Sequence, residues 1–200
     1  MSGVSAIILA AGESTRMGRL KALLPWQGRT LIEYQVESLR EAGADQVVVV
    51  VGHRWEEVEA PARGRPGVET AINPDYRQGK TTSIKAGLSR VSPSAQAIIV
   101  LAVDQPRPVS ILKSLIDVHL ERGSLITCPE HGGHRGHPFI FSAGLMPELM
   151  GITEEGQGLR EVVDRHRADT YRLAVDNPIV NADMNSPEDL EEAERLFEGL

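Results

Sequence analysis

The sequence has only one cysteine, Cys128, so no internal disulfide can form and the fold must rest on its packed core. Such usage suits a reducing cytoplasm. Aromatic residues make up just 4% of the chain, too few for a platform on which nucleic-acid bases stack. Positive charge is also scarce, with 21 Lys and Arg against 28 Asp and Glu and a net charge of −7. Broad nucleic-acid binding needs a basic face that displaces counterions, so the balance argues against that class. A few lysines, arginines and backbone amides can still make one cleft attractive to a small anion. No run approaches the roughly 20 apolar residues of a membrane span. The opening Met-Ser-Gly-Val-Ser-Ala lacks the basic region of a secretion signal, so neither membrane insertion nor export is expected.

What remains is an ordinary globular composition, 41% hydrophobic and 24% charged over 200 residues, which fits a single domain over residues 1–200. Short apolar runs recur at Val4–Ala10, Gln46–Val51, Val68–Ile72, Ala97–Val103 and Leu125–Cys128. The runs Val47 to Val51 and Ile98 to Leu101 are apolar on both faces, as parallel strands covered by helices must be. Helices are expected between them. Thr30 with Glu33 forms a capping box for a helix that Gly43 stops, and Leu31, Ile32, Gln35, Val36 and Leu39 share its buried face. Further helices are expected over Thr82–Arg90, Ile111–Arg122, Ala143–Met150 and Gly158–Arg165, and a last one is capped by Ser186 with Pro187 at its first position. From Cys128 to Phe141 the pattern becomes a Gly- and His-rich loop followed by a short strand, Pro138–Phe141, and Thr170–Val175 alternates like an edge strand. The alternation predicts an α/β fold, a three-layer Rossmann-like arrangement around a mostly parallel sheet.

The strongest chemical signal follows the first strand: Leu9-Ala10-Ala11-Gly12, then Arg16, Met17, Gly18 and Lys21. Small residues there let backbone approach a ligand at the carboxyl end of the strand, where open α/β sheets bind. Exposed amides in such a loop can cradle phosphate oxygens, and Arg16 and Lys21 add positive charge. Neither a Gly-x-Gly-x-x-Gly fingerprint nor a Walker lysine is present, and Gly79-Lys80-Thr81 lacks the upstream glycine of a P-loop. After the fourth strand, Val103-Asp104-Gln105-Pro106 delivers a carboxylate where the sheet presents its active residues, and Asp183 precedes the last helix. One or two carboxylates suit Mg²⁺, which fills its shell with water and substrate phosphates. Together these positions describe nucleotidyl transfer, with Asp104 and Asp183 for the metal and Arg16 and Lys21 for the triphosphate and departing pyrophosphate.

With those motifs in order, the chain resembles the molybdenum cofactor nucleotidyltransferases, and most closely the cytidylyltransferases among them. The likeness spans Ser5 to Leu190 and rests on the Leu9–Lys21 stretch, Asp104-Gln105-Pro106, Gly136-His137-Pro138 and Asp183 to Asp189. It implies CTP as donor, Mg²⁺ as cofactor, and molybdenum-loaded molybdopterin as acceptor, for eventual use by a molybdenum hydroxylase apoenzyme. Guanylyl relatives usually carry Leu-Ala-Gly-Gly, so Ala11 favours cytosine. By the same resemblance, the segment Asn73-Pro74-Asp75-Tyr76 through Gly79 and Ser83 forms the base and ribose loop, and Gly136, His137 and Pro138 belong to the acceptor side. Three departures stand out: Lys80-Thr81-Thr82 replaces a smaller serine-rich run, Val103 replaces a glycine, and Asn185 replaces an aspartate. Alternatives at this level are a guanylyltransferase, a sugar- or polyol-phosphate cytidylyltransferase, and a non-catalytic carrier of nucleotide or molybdopterin. His131, His134 and His137 are regularly spaced but lack the cysteine pair or acid that would complete a zinc site. Trp26 and Trp55 are expected to pack rather than stack a ligand.

Overall fold

A computed structural model describes residues 3–198; the side chains of Arg16 and Glu198 lie outside that description. Strands and helices alternate. In chain order they are β1 (Val4–Ala10), β2 (Pro25–Trp26), β3 (Arg29–Thr30), α1 (Leu31–Glu41), β4 (Gln46–Val51), α2 (Trp55–Glu59), β5 (Val68–Ile72), α3 (Lys80–Leu88), β6 (Ala97–Ala102) and α4 (Val109–Arg122). The second half adds β7 (Ile126–His131), β8 (His134–Arg135), β9 (Phe139–Ser142), α5 (Met146–Gly151), α6 (Leu159–Arg165), β10 (Thr170–Ala174) and α7 (Pro187–Glu198). The main sheet runs β10-β7-β9-β6-β1-β4-β5, and β8 pairs with β7.

The pairs β1–β4, β1–β6, β4–β5 and β7–β10 are parallel, whereas β9 lies antiparallel to both β6 and β7. Side-chain alternation splits the core into two layers. Ala6, Ile8 and Ala10 of β1 pack with α1, α2, α4 and α7, while Ile7, Leu9 and the following Ala11 pack with α3, α5 and α6. This is the three-layer α/β arrangement expected from the doubly apolar strands.

Local chemistry explains the boundaries. Thr30 accepts from the Glu33 amide and Glu33 answers at the Thr30 amide, so α1 begins on a complete capping box. The Asp189 amide donates to Ser186 Oγ at 3.2 Å, which caps α7. Helix α3 starts two residues earlier than expected because Gly79, at φ 129°, supplies the turn into it. An added Cβ there would stand 2.3 Å from Glu154 Oε1, the atom that accepts from the Thr81 amide at 2.6 Å. The expected helix over Ala143–Met150 is split into a 3₁₀ turn, Ala143–Leu145, and α5, since Pro147 fits only the first turn of a helix. The stretch expected to be a Gly- and His-rich loop instead extends β7 to His131 and turns back into β8. Among the described residues no helix is long and apolar enough to cross a membrane.

Candidate active site

Strand β1 lies between β4 and β6, and from β1 the chain builds the sheet first to one side and then to the other. Ligands of open α/β sheets bind at such a reversal, beyond the carboxyl ends of the strands. Here a cleft of about 390 Å³ opens, lined by Leu9, Ala10, Ala11 and Gly12 on one side and by Val103 and Asp104 on the other. The loop is fixed at both shoulders. The His53 amide donates to the Ala11 carbonyl and the Val103 amide to the Leu9 carbonyl, both at 3.0 Å. Gly12 is exposed, and no protein atom fills the space where its side chain would stand. The loop then passes through Ser14, whose hydroxyl accepts from the Lys21 amide at 3.1 Å, and a 3₁₀ turn, Thr15–Met17. That turn contains the backbone of Arg16; its side chain lies outside the described residues.

Lys21 is the described cation that faces the acidic wall. Its Nζ donates to Asp104 Oδ2 at 2.6 Å and to Asn185 Oδ1 at 2.9 Å, with all three residues lining the cleft. Lys21 and Asp104 side chains are 13% and 20% exposed, so the pair is shielded without being sealed. Asp183 is held differently. Its Oδ1 accepts from Gln105 Nε2 at 2.7 Å, while Gln105 Oε1 accepts from the Ala102 amide at 3.1 Å. The two acidic segments are joined by the Met184 amide, which donates to the Asp104 carbonyl at 2.9 Å. Asp183 therefore sits behind Asp104 and does not line the cleft. Among the described residues no cluster of three or more His, Cys, Asp or Glu could cage a metal by itself. The donors that line the cleft, the Asp104 carboxylate and the Asn185 carbonyl oxygen, fit a hard ion that takes most of its ligands from water and phosphate, whereas Asp183, expected beside Asp104 at the metal, is turned to Gln105 instead.

A second cleft of about 550 Å³ adjoins the first and is lined by His137, Arg135, Arg160 and the apolar Phe139 and Ile84. Of the three residues expected on the acceptor side, only His137 lines it. Gly136 is buried against the Val180 carbonyl, which an added Cβ would approach to 2.3 Å, and Pro138 is buried after a cis His137–Pro138 bond. Burial pushes His137 down to about 4, so its ring is neutral near pH 7.

Arg107 ties these segments together. Only 1% exposed, its guanidinium donates to the carbonyls of His137 (2.9 Å), Pro106 (2.8 Å), Val180 (3.0 Å) and Ala182 (3.1 Å). Burial lowers its pKa to about 10, and Asp183 and Asp104 oppose that shift, so Arg107 stays charged at neutral pH. One side chain thus sets the spacing between the turn carrying Asp104, the strand entry carrying His137 and the segment leading to Asp183. Sequence reasoning did not assign it. The available signal was its place between Pro106 and Pro108, where the only free backbone amide is its own.

On the opposite wall Gly79 and Ser83 line the first cleft, as does Tyr76 of the same segment. Asn73 is buried and braces the wall from behind, its Nδ2 donating to Thr82 Oγ1 and Ser83 Oγ at 2.9 Å each. The three histidines go separate ways: His131 Nδ1 pairs with the Val175 carbonyl, His134 is exposed on the facing strand of the hairpin, and His137 faces the second cleft. Trp26 is 2% exposed and packs edge-on against Tyr34 and Phe197, and Trp55 packs against the same core layer.

The model of the MobA-like NTP transferase domain matches residues 6–170, which include the glycine-bearing loop, Lys21 and Asp104. The chain belongs to the MobA-like NTP transferase family. This NTP transferase is 26% identical over 200 residues to the molybdenum cofactor cytidylyltransferase of Escherichia coli K12, covering 98% of each chain. It is 33% identical over 166 residues to the nicotine blue oxidoreductase of Paenarthrobacter nicotinovorans, covering 78% of this chain and 79% of that one. Among solved structures, Rv0371c from Mycobacterium tuberculosis H37Rv superposes with a TM-score of 0.83 at 29% identity, over 96% of this chain and 97% of that chain. A further structure of Rv0371c is a complex with manganese. The likeness shows the expected fold and places the chain among nucleotidyltransferases, which are enzymes.

Proposed function

We propose that this enzyme transfers the cytidylyl group of CTP to a phosphate of molybdenum-bearing molybdopterin, releasing pyrophosphate, and that residues 1–200 form one catalytic domain. The observation that carries the reading is the meeting, across one cleft, of the Leu9–Gly12 backbone with the Lys21–Asp104–Asn185 cluster, beside a second cleft able to hold an acceptor. The donor base is inferred from Ala11 and from the full-length likeness to a cytidylyltransferase. The enzyme would work in the cytoplasm.

In this reading, the loop amides and Arg16 grip the triphosphate, and Lys21 turns its ammonium from Asp104 toward the phosphates. An oxygen of the acceptor phosphate forms a bond to the α-phosphorus as the bond from that phosphorus to the bridging oxygen breaks, and pyrophosphate leaves with the electron pair. Little proton transfer is needed, so positioning and charge neutralisation lower the barrier. Asp104, with Asn185, would hold a divalent cation, assigned as Mg²⁺, which supplies positive charge to the phosphates when bound; Asp183, expected from the sequence as a second ligand, lies outside the cleft. Asp183 acts through Gln105 to fix the turn from which Asp104 projects. Gly79 and Ser83 face the nucleotide and Asn73 braces them; His137 faces the acceptor, with Gly136 and Pro138 shaping its approach.

Pyrophosphate release measured with CTP, GTP, ATP and UTP in the presence of molybdopterin tests the assignment. Release with CTP is expected; none with CTP, or a clear preference for GTP, would refute it. A second reading, redox chemistry on the same fold, is favoured by the likeness to nicotine blue oxidoreductase. Loss of NADH or NADPH absorbance with a quinoid dye as acceptor would support it, but the loop after β1 lacks the Gly-x-Gly-x-x-Gly of dinucleotide sites.

A further inference from the structure

The two clefts share only three lining residues, Leu9, Lys80 and Ala102. Two are apolar, so Lys80 is the one charged side chain, among the described residues, that borders both. It is the first residue of α3 and is exposed, and its ammonium makes no hydrogen bond or ion pair among the described residues. Its place is fixed by the backbone on either side. Gly79 turns at φ 129° and the Thr81 amide is held by Glu154 Oε1 at 2.6 Å. Lys80 also stands near enough to His137 for its charge to disfavour protonation of that ring.

The second cleft is itself built for an anion. Arg135, Arg160, Lys80 and the neutral His137 line it with one acid, Glu154, which is already engaged by the Thr81 amide, while Asp164, outside the lining, lies 3.1 Å from Arg135 and 3.7 Å from Arg160. Arg135 uses Nη2 on Asp164 at 3.1 Å, and its Nη1 is buried without a partner among the described residues. An orphaned buried donor of this kind is costly unless a ligand oxygen satisfies it.

We propose that Lys80 is a catalytic residue that bridges the α-phosphate of a nucleotide in the first cleft and an anionic phosphate ester in the second. The proposal rests on the transferase reading above and names the acceptor's reactive group by its chemistry. Transfer brings two anions to bonding distance, and their repulsion is largest where water is excluded. A protonated lysine donating to a non-bridging oxygen of the α-phosphoryl group and to the attacking phosphate offsets that repulsion in the transition state. The new P–O bond forms at the α-phosphorus, the bond to the bridging oxygen breaks, pyrophosphate carries the electron pair away, and Lys80 keeps its proton throughout. Arg135 and Arg160 hold the rest of the acceptor phosphate. The Lys80-Thr81-Thr82 departure noted in the sequence thereby acquires a role.

The test uses Lys80→Met and Lys80→Arg in the full chain. Calorimetry with Mg²⁺ should give CTP affinities within about threefold of wild type, while turnover in Lys80→Met falls about 100-fold or more and Lys80→Arg recovers part of it. Inorganic phosphate titrated into CTP-saturated protein gives a readout that needs no turnover: it should bind about tenfold more weakly to Lys80→Met than to wild type, with a smaller difference in the absence of nucleotide. Unchanged turnover together with unchanged phosphate binding would overturn the proposal, as would an equal loss of phosphate affinity with and without CTP. Failure of the wild type to bind any nucleotide would instead overturn the transferase reading, and the role of Lys80 with it.

Discussion

Replacing Arg107 by methionine, which keeps the bulk and removes every donor, is the sharpest test of how the site is held together. Four carbonyls lose a charged donor: Pro106, His137, Val180 and Ala182. Val180 keeps a second partner, since the His137 amide donates to it at 2.8 Å, so three carbonyls are left to find new ones. An orphaned buried polar group costs about 1–3 kcal/mol, giving a gross loss on the order of 3–9 kcal/mol. Removing a buried charge recovers part of this, and breaking one partner of a buried ionic arrangement nets about 3–5 kcal/mol of destabilisation. Against a total stability of about 5–15 kcal/mol the variant should fold, but with a melting temperature lower by about 6–20 °C at about 2–4 °C per kcal/mol. Scanning calorimetry at pH 7 measures the shift, and a second scan on Arg107→Lys should fall between the two, because an ammonium cannot span carbonyls from three segments. A methionine variant melting within about 3 °C of wild type would show that water or neighbouring groups satisfy these carbonyls and that the clamp is not structural.

Asp104→Ala should lower turnover by about 10²–10³-fold or more while the melting temperature stays near that of wild type, and equal activity would remove Asp104 from the mechanism. Gly79→Ala places a methyl group against Glu154 at a positive φ, so a stability loss of about 1–3 kcal/mol in urea and weaker CTP binding are expected; an unshifted urea midpoint would contradict the strain. His119, buried beside Thr127 Oγ1 at 2.9 Å, is pushed down to about 4 by burial, as is His137. Both folded values lie below the unfolded one of about 6.5, so the unfolded chain binds more protons between them and stability present above about pH 6.5 is lost as pH falls toward 4. Urea unfolding followed from pH 7 to 4 should show a slope of at most about 1.4 kcal/mol per pH unit for each histidine, and a flat profile between pH 6.5 and 5 would contradict neutral burial.

The strands of the parallel half were legible because their chemistry is local. Gln46–Val51 and Val68–Ile72 are bounded by polar residues and glycine, Val4–Ala10 lies between Gly3 and the Ala11-Gly12 turn, and the structure gives them those same limits. The Thr30–Glu33 box was legible for the same reason. Pairing is not local. Nothing within Phe139–Ser142 says that it enters the sheet between β6 and β7, since that depends on contacts across the chain. Helix α2 was missed because five residues are too few for a 3.6-residue period and its entry is Arg54 in a left-handed conformation. In the site, the loop after β1 and Asp104 were visible as motifs at strand ends, whereas Arg107 looked like any charged residue in a turn. Its burial follows from four carbonyls that only the folded chain assembles.

Among the described residues strand β9 is the sole splice between two groups of strands, paired with β6 over four residues and with β7 over two. Apart from Asn185, the residues that line the first cleft hang from the β6-β1-β4-β5 side, and the hairpin carrying Arg135 hangs from the other. On the proposed function, a sheet divided in this way can keep its donor chemistry fixed while the far side is rewritten for a new recipient molecule, so diversification within such a lineage should concentrate beyond that one short ribbon.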